Sequence, residues 1–544
     1  MDKAELAAHA KEIDQHFHQQ HQHNSPSSPH LEKSQDGEAN KHRADANRDK
    51  DVEKDAAVHK ADTNDQSRPR NSTSARSQQP TGDASAPSEQ ADDEAIKDRG
   101  WAAWKFILAS AATEFMIWGA SYGYGSFQDY HQHDHRSPFH QSSLTATSSV
   151  GTTLLAGQHF IPLLTFGLYS MFPCLISRFT YVCVVASSLS LLIASFANSV
   201  ALLILFQGLL LGIFGGNLFT TVILWLPDWW DRRRGFAIAL IFAGSAIGGI
   251  LWPIIFTQLL ERIGFRWTLR TCALIQLIVS GSAVMCLAPR RKAVRISKAM
   301  RWKAVIPAFP RSLLSTLTLL NVVALVTQTT AWYSVSLNIS NYASSMGFSS
   351  STSTGMLSAF NASAAVTYFV LGYLVDRFPY PLIMATSTLL SLVFTVLVFG
   401  FARGSLAKII LYVVFFGMSG GGFASFLTPV SRDIPDKTKS AEFSLRFLYL
   451  VAARGLAAML GPIIAVQFYP DHLGPKSAYG SFGFTGFIAF ISGTLALSTL
   501  ASLTIFAYKR HVEAKRVQER CKHSSPSPSP ECARRVELVE ERAA

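Results

Sequence analysis

Two ionisable side chains sit inside long apolar runs. Glu114 lies in "FILASAATEFMIWGASYG" and Arg454 in "FLYLVAARGLAAMLGPII". A charge at the middle of a bilayer costs roughly 2.5–3.5 kcal/mol on insertion scales, so each must face a cavity or a partner. Arginine stays protonated and can grip a carboxylate with two parallel hydrogen bonds. Arg454 is therefore a candidate anchor for an anionic substrate; the plainer reading is a structural arginine paired with Glu442 or a backbone carbonyl. Glu114 is a candidate proton carrier, a buried hydrogen-bond donor, or the partner of Arg454. Gln158, Asn217, Gln328 and Asn361 could line the same cavity or serve as hydrogen bonds between helices.

These residues need elements to hold them, and the apolar runs supply twelve. They lie near 104–127, 148–171, 181–199, 201–226, 235–260, 267–288, 313–337, 352–375, 380–401, 407–430, 443–467 and 483–507. Each has the roughly 20 residues that a helix needs to cross hydrocarbon. From Gly235 to Leu260 there are 26 residues without a charge, yet Gly244, Gly248, Gly249 and Pro253 all occur there. In lipid such residues are tolerated where helices pack closely, and glycines four apart open one face to a neighbour. The fold class expected is an all-α membrane protein of twelve transmembrane helices in two six-helix halves.

Charge divides the chain. Residues 1–99 carry fourteen Lys/Arg against twenty Asp/Glu, which leaves 35 of the 49 bases but only 17 of the 37 acids for the rest. The tail is expected to be disordered and cytoplasmic. The basic excess sits at the ends of apolar runs, where a membrane protein keeps its cytoplasmic charge, and so does not suggest nucleic acid. Arg178, Arg232, Arg233, Arg234, eight bases from Arg290 to Arg311, Arg377, Arg432, Lys437 and Lys439 fall in one set of loops. The opposite loops hold Arg136, Arg262, Arg266, Arg403, Lys408 and Lys476. Both ends are therefore expected inside, with domains at 1–99, 100–288, a linker at 289–312, 313–507 and a cytoplasmic tail at 508–544. The N-terminus has no basic-then-apolar leader.

The two halves repeat. An offset of 209 residues places Gly208 on Gly417, Gly212 on Gly421 and Pro253 on Pro462, with Ile-Ile after both prolines. The same offset places Ser245 on Arg454. Parallel repeats of this kind suit a transporter whose site lies near the midplane between the halves.

The motifs resemble the monocarboxylate-transporter branch of the major facilitator superfamily, especially its fungal permeases, over about residues 98–510. "DRGWAAW" (98–104) and "YGYGSFQDY" (122–130) look like the entry to and exit from that family's first span. "WWDRRRGFAIALIFAGSAIGG" resembles the signature opening its fifth span, continued by "IGFRW" (263–267). "LGYLVDR" (371–377) is similar to the superfamily's Gly-x-x-x-Asp-Arg loop. The resemblance implies the major facilitator fold and gating roles for Asp231, Arg232, Arg233, Arg234, Gly244, Gly248, Asp376 and Arg377. Where well-studied animal members carry an Asp and an Arg in span eight, this chain has Ala364 and Tyr368. Their lysine near the end of span one falls on Tyr122, and Ser177 stands where an Asp is usual. Tyr122, Tyr368 and Asn217 join Arg454 as expected substrate contacts.

The remaining constellations are weaker. "HFHQQHQH" (His16 to His23) and "HQHDHRSPFH" (131–140) gather histidines, read as solvated tracts rather than a metal site or a pH sensor. "NIS" at Asn338 is an outer-face glycosylation sequon. Six cysteines lie in spans or on the inner side and suit reduced thiols. There is no Gly-Lys phosphate loop and no catalytic set, so no enzyme, cofactor or metal is expected. The expected function is secondary transport of a small organic anion, monocarboxylate-like, by alternating access, with proton coupling as an option. The alternatives are export of a secondary metabolite and a non-transporting sensor of the same fold. The plasma membrane is the expected site, with vacuolar or other endomembranes as alternatives.

Overall fold

The computed structural model describes residues 98–230, 233–290, 314–433, 440–470, 474 and 477–524. The 1–82 unit, His16 to His23 within it, Asp231, Arg232 and nearly all of the 289–312 linker lie outside the described residues.

Among the described residues, twelve helical rods follow one another. α1 comprises Trp101–Glu114, a π-turn at Phe115–Gly119, Ala120–Tyr122 and Tyr124–His133. α2 is Leu144–Met171 and α3 Ile176–Ala194. α4 runs from Val200–Leu203 through a second π-turn, Ile204–Leu210, to Leu211–Trp229. Arg234–Cys286 is two rods, α5 and α6, broken at Gly264, whose φ of 71° is left-handed. In the second half α7 is Thr316–Ser345, α8 Ser350–Arg377, and α9 Tyr380–Val393 with a π-turn at Phe394–Phe399. α10 is Leu406–Gly420 continued by Gly421–Phe426 and Leu427–Asp433; α11 is Ser440–Val466 and α12 Thr485–Ser524.

Among the described residues, eight helical stretches are long and apolar enough to cross a membrane, one of them, Phe236–Cys286, taking in nearly all of α5 and α6. The rods below that hydropathy are α1, α2 and α7, and the reason is their position. Every residue of α7 from Ala331 to Ala343 is buried, so its serines and asparagines meet protein rather than lipid. By contrast α3 exposes Val182, Val185, Leu189 and Ile193, and α6 exposes Leu274, Ile278 and Met285. Those stripes suit hydrocarbon.

Glycine sets the closest approaches. A Cβ on Gly244 would lie 2.0 Å from the Ala111 carbonyl oxygen, and one on Gly248 would lie 2.6 Å from that of Phe115. The glycine face expected on α5 is thus laid backbone-to-backbone on α1. The repeat appears in the contacts too. Gly208 and Gly212 of α4 pack on Val150 and Leu154 of α2, while Gly417 and Gly421 of α10 pack on Phe360 and Ala364 of α8. A 209-residue repeat in sequence has become the same helix pairing in each half.

Among the described residues, five side-chain hydrogen bonds join the halves from mid-bundle toward the end remote from Trp229 and Trp230, called outer below. They are Gln128 to Asn338 (2.9 Å), Ser344 to Asp129 (2.9 Å), Thr257 with Thr354 (2.6 Å), Asn361 to the Gly249 carbonyl (2.8 Å) and Gln467 to Thr145 (3.2 Å). Asn338 is 1% exposed, its amide donating to the Ser334 carbonyl and accepting from Gln128. The expected glycosylation is therefore corrected. α7 continues past the end read from the sequence, and the sequon is buried in the seam.

Candidate functional site

A cavity of about 50 Å³ lies between the halves, lined by Trp118, Tyr122, His159, Phe219, Phe242 and Ser245 from the first and Tyr333, Tyr368, Ala424, Leu427, Phe447, Val451 and Arg454 from the second. Its walls come from α1, α2, α4 and α5 and from α7, α8, α10 and α11. The rods α3, α6, α9 and α12 contribute nothing to it. Room for a few water molecules is not room for a metabolite, for which pockets run to several hundred Å³.

Arg454 brings the fixed charge. It is 8% exposed, and its Nε donates to Thr329 Oγ1 at 3.0 Å. Its terminal nitrogens meet no acceptor among the described residues. Three tyrosines, Tyr122, Tyr333 and Tyr368, line the cavity with it, and all three feel the Arg454 charge. The repeat-related Ser245 lines the same cavity, its hydroxyl turned back to the Phe242 carbonyl at 2.7 Å.

His159 was not anticipated. It stands on α2 with Nδ1 donating to the Leu155 carbonyl at 2.7 Å. Its ring meets Trp118 edge-on at 4.7 Å and Tyr333 at 5.8 Å. A histidine twelve residues inside an apolar run was a legible signal, since such groups by default mark a pathway. Trp118 and Tyr333 left no such signal, because aromatic residues fill membrane cores everywhere.

Glu114 is fully buried on α1, and neither carboxyl oxygen has a hydrogen-bond partner. It makes no ion pair with Arg454, which corrects one of the expected readings; its electrostatic neighbour is Tyr368. The side chain of Glu442 lies outside the described residues. Asn217 does not line the cavity. Its amide donates to the Ile213 carbonyl at 2.8 Å and accepts from Tyr169 at 3.3 Å, tying α4 to α2.

The signature around Trp229 and Trp230 organises the inner ends. Trp230 Nε1 donates to the Ala103 carbonyl at 3.4 Å, and Trp229 Nε1 to that of Ala288 at 3.0 Å. Asp98 Oδ1 accepts from the Arg233 backbone at 3.2 Å. The ends of α1, α4 and α6 are thereby fastened at one point. Of the other gating candidates, Arg377 stacks over Tyr373 at 4.4 Å, Arg234 opens α5, and the side chains of Arg234 and Asp376 lie outside the described residues. At the outer end, His131 is not solvated as expected. It is buried, paired with Ser137 at 2.8 Å and packed against Phe139 and Phe265.

The family model described as Major Facilitator Superfamily matches residues 175–441 and 322–528. Among curated relatives, the fujikurins efflux protein of Gibberella fujikuroi is 30% identical over 205 residues, 38% of this chain and 43% of its own length. The MFS-type transporter pytF of Aspergillus terreus is 30% identical over 221 residues, 40% of this chain and 73% of its own. The aspyridones efflux protein apdF of Emericella nidulans is 24% identical over 348 residues, 63% and 67% respectively. The match thus spans less than half of the first of these. Solved structures agree in fold: the nucleoside transporter NupG has a TM-score of 0.55 at 13% identity, covering 74% of this chain and 99% of its own. A peptide transporter POT in complex with sulfate also gives 0.55 at 13%, covering 78% and 98%.

Proposed function

The chain belongs to the Major Facilitator Superfamily, and from that premise we propose that it exports a small organic anion, a metabolite with an aromatic or otherwise planar body, by alternating access. The observation that carries the reading is the Arg454 guanidinium, with terminal nitrogens uncommitted, in an aromatic cavity between the halves. A planar fork of donors beside tyrosine and tryptophan rings suits a delocalised oxyanion on a flat ring system. Export is set ahead of the monocarboxylate uptake expected from the sequence because two of the relatives are efflux proteins by name.

The structure offers a cycle. The outer hydrogen bonds hold the halves together while cargo enters from the inner side and draws the cavity walls onto itself. Breaking those bonds and closing the inner ends around Trp229 and Trp230 releases it outward. Glu114 is the group proposed to exchange a proton during the cycle, because neither of its oxygens is committed to a protein partner.

The test is flux from purified protein in liposomes, comparing anionic aromatic acids with their neutral amides. Saturable movement of the acids, lost in Arg454→Gln, is expected. Equal transport of acid and amide overturns the anion reading, and no saturable flux of either overturns the transport of this class.

A further inference from the structure

The two halves differ at one repeat position in a way that changes the packing of their interiors. Offset 209 places Gln207, the residue before Gly208, on Phe416, the residue before Gly417. In the second half Phe416 stacks with Trp332 at 6.2 Å and with Phe360 at 6.1 Å, and fills the space between α7, α8 and α10. In the first half the corresponding space is a cavity of about 50 Å³ within the helix bundle itself, separate from the Arg454 cavity. Gln158 of α2, Gln207 of α4 and Gln276 of α6 all line it.

These amides are buried, 2%, 3% and 4% exposed respectively, and two of them are incompletely satisfied. Gln158 Nε2 donates to Ser121 Oγ at 2.7 Å and to the Ile117 carbonyl at 3.2 Å, but its Oε1 has no partner. Gln276 Nε2 donates to Ser187. The Oε1 of Gln207 has no partner either. Buried amide oxygens left without partners are costly, and this cavity, mostly apolar but lined by three amides, has room for about three or four waters.

Both π-turns of this half touch the same cavity. Ile117, whose carbonyl Gln158 caps, belongs to the π-turn of α1, and Gln207 belongs to that of α4. A π-turn shifts hydrogen-bond register, and water can take over a backbone group during the shift.

We propose that the first half encloses an ordered water cluster held by Gln158, Gln207 and Gln276, which lets the π-turns of α1 and α4 change register as the halves rock. The second half, plugged by Phe416, moves as the stiffer body. The site takes water; a lipid tail or an apolar molecule in its place would contradict it, since neither answers the amide oxygens.

Gln207→Met separates the outcomes by sign. It keeps the volume and removes the hydrogen-bonding groups. If water satisfies the amide, the melting temperature falls by a few degrees; if the cavity is dry, an unpaired buried amide is removed and the melting temperature rises, which overturns the proposal. An experimental map of the wild-type protein fine enough to show ordered water should contain separate peaks among the three glutamines. An empty cavity, or continuous elongated density, overturns it. Gln207→Phe copies the second half and should fill the space, leaving a stable fold that transports several-fold more slowly. Full-speed transport by a variant shown to have a filled cavity overturns the mechanical role.

Discussion

Ser245 and Arg454, 209 residues apart, line one cavity from opposite halves, so a single repeat position carries a hydroxyl on one side and a guanidinium on the other. The asymmetry makes Arg454 the natural place to test. Losing a buried charged partner costs about 2–5 kcal/mol, so Arg454→Gln should weaken binding of an anionic substrate about thirtyfold or more. Arg454→Lys keeps the charge but loses the fork and should fall between. Ser245→Ala should change affinity little, since its hydroxyl is turned to the Phe242 carbonyl. Equilibrium binding to the three purified variants measures all of this.

Glu114 and Arg454 are not an ion pair, and their substitutions should behave accordingly. Adding Glu114→Gln to Arg454→Gln should not restore thermal stability, and the two effects should sum to within about 0.5 kcal/mol. Melting curves of both singles and the double decide it; a clear rescue means that the two charges meet.

Across the outer seam, the Ser344 hydroxyl donates to Asp129 from the opposite half. Hydrogen bonds to charged groups contribute about 1.5–3 kcal/mol, so Ser344→Ala should favour outer opening by roughly tenfold or more. Spin labels at Glu261 and Phe348, which face the same outer vestibule from the two halves, should report a broader and longer distance distribution.

Gly244→Ala should destabilise the first half strongly, because its methyl group would sit 2.0 Å from the Ala111 carbonyl oxygen of α1. Overpacking of this kind costs about 1–3 kcal/mol or more. Gly355→Ala in α8 is the control, with nothing within 4 Å of the added carbon, and should be neutral or slightly stabilising. Melting temperatures of the two variants should move in clearly different ways.

The outer loop carries a local acid response. The hydrogen bond from Arg136 holds the Asp134 carboxyl below its ordinary range, against the opposing effect of burial. Arg136 also donates to the Glu261 carbonyl at 2.8 Å, which ties the loop to the end of α5. A depressed carboxylate stabilises above its unfolded pKa and loses that contribution as pH falls through the lower folded value. Loop order, followed by protease cleavage near Arg136, should therefore persist through the ordinary carboxylate range and fail only below it. Asp134→Asn should abolish that acid transition.

Much of the molecule was legible in the chain alone. Twelve spans, the break between halves and the 209-residue repeat follow from hydropathy and glycine spacing, because lipid imposes length and close packing imposes small residues wherever helices touch. Arg454 was legible for the same reason, since a charge in an apolar run must have a use. His159 carried the same signal at lower contrast. Tertiary structure decided which way each rod faces. Rotation about a helix axis turned Glu114 away from Arg454, sent Asn217 to Tyr169 instead of the cavity, and buried Asn338 against Gln128. Span length is a property of one helix and its solvent, readable locally; the azimuth of a side chain is set by all the neighbours of its helix at once, and exists only when the bundle has closed.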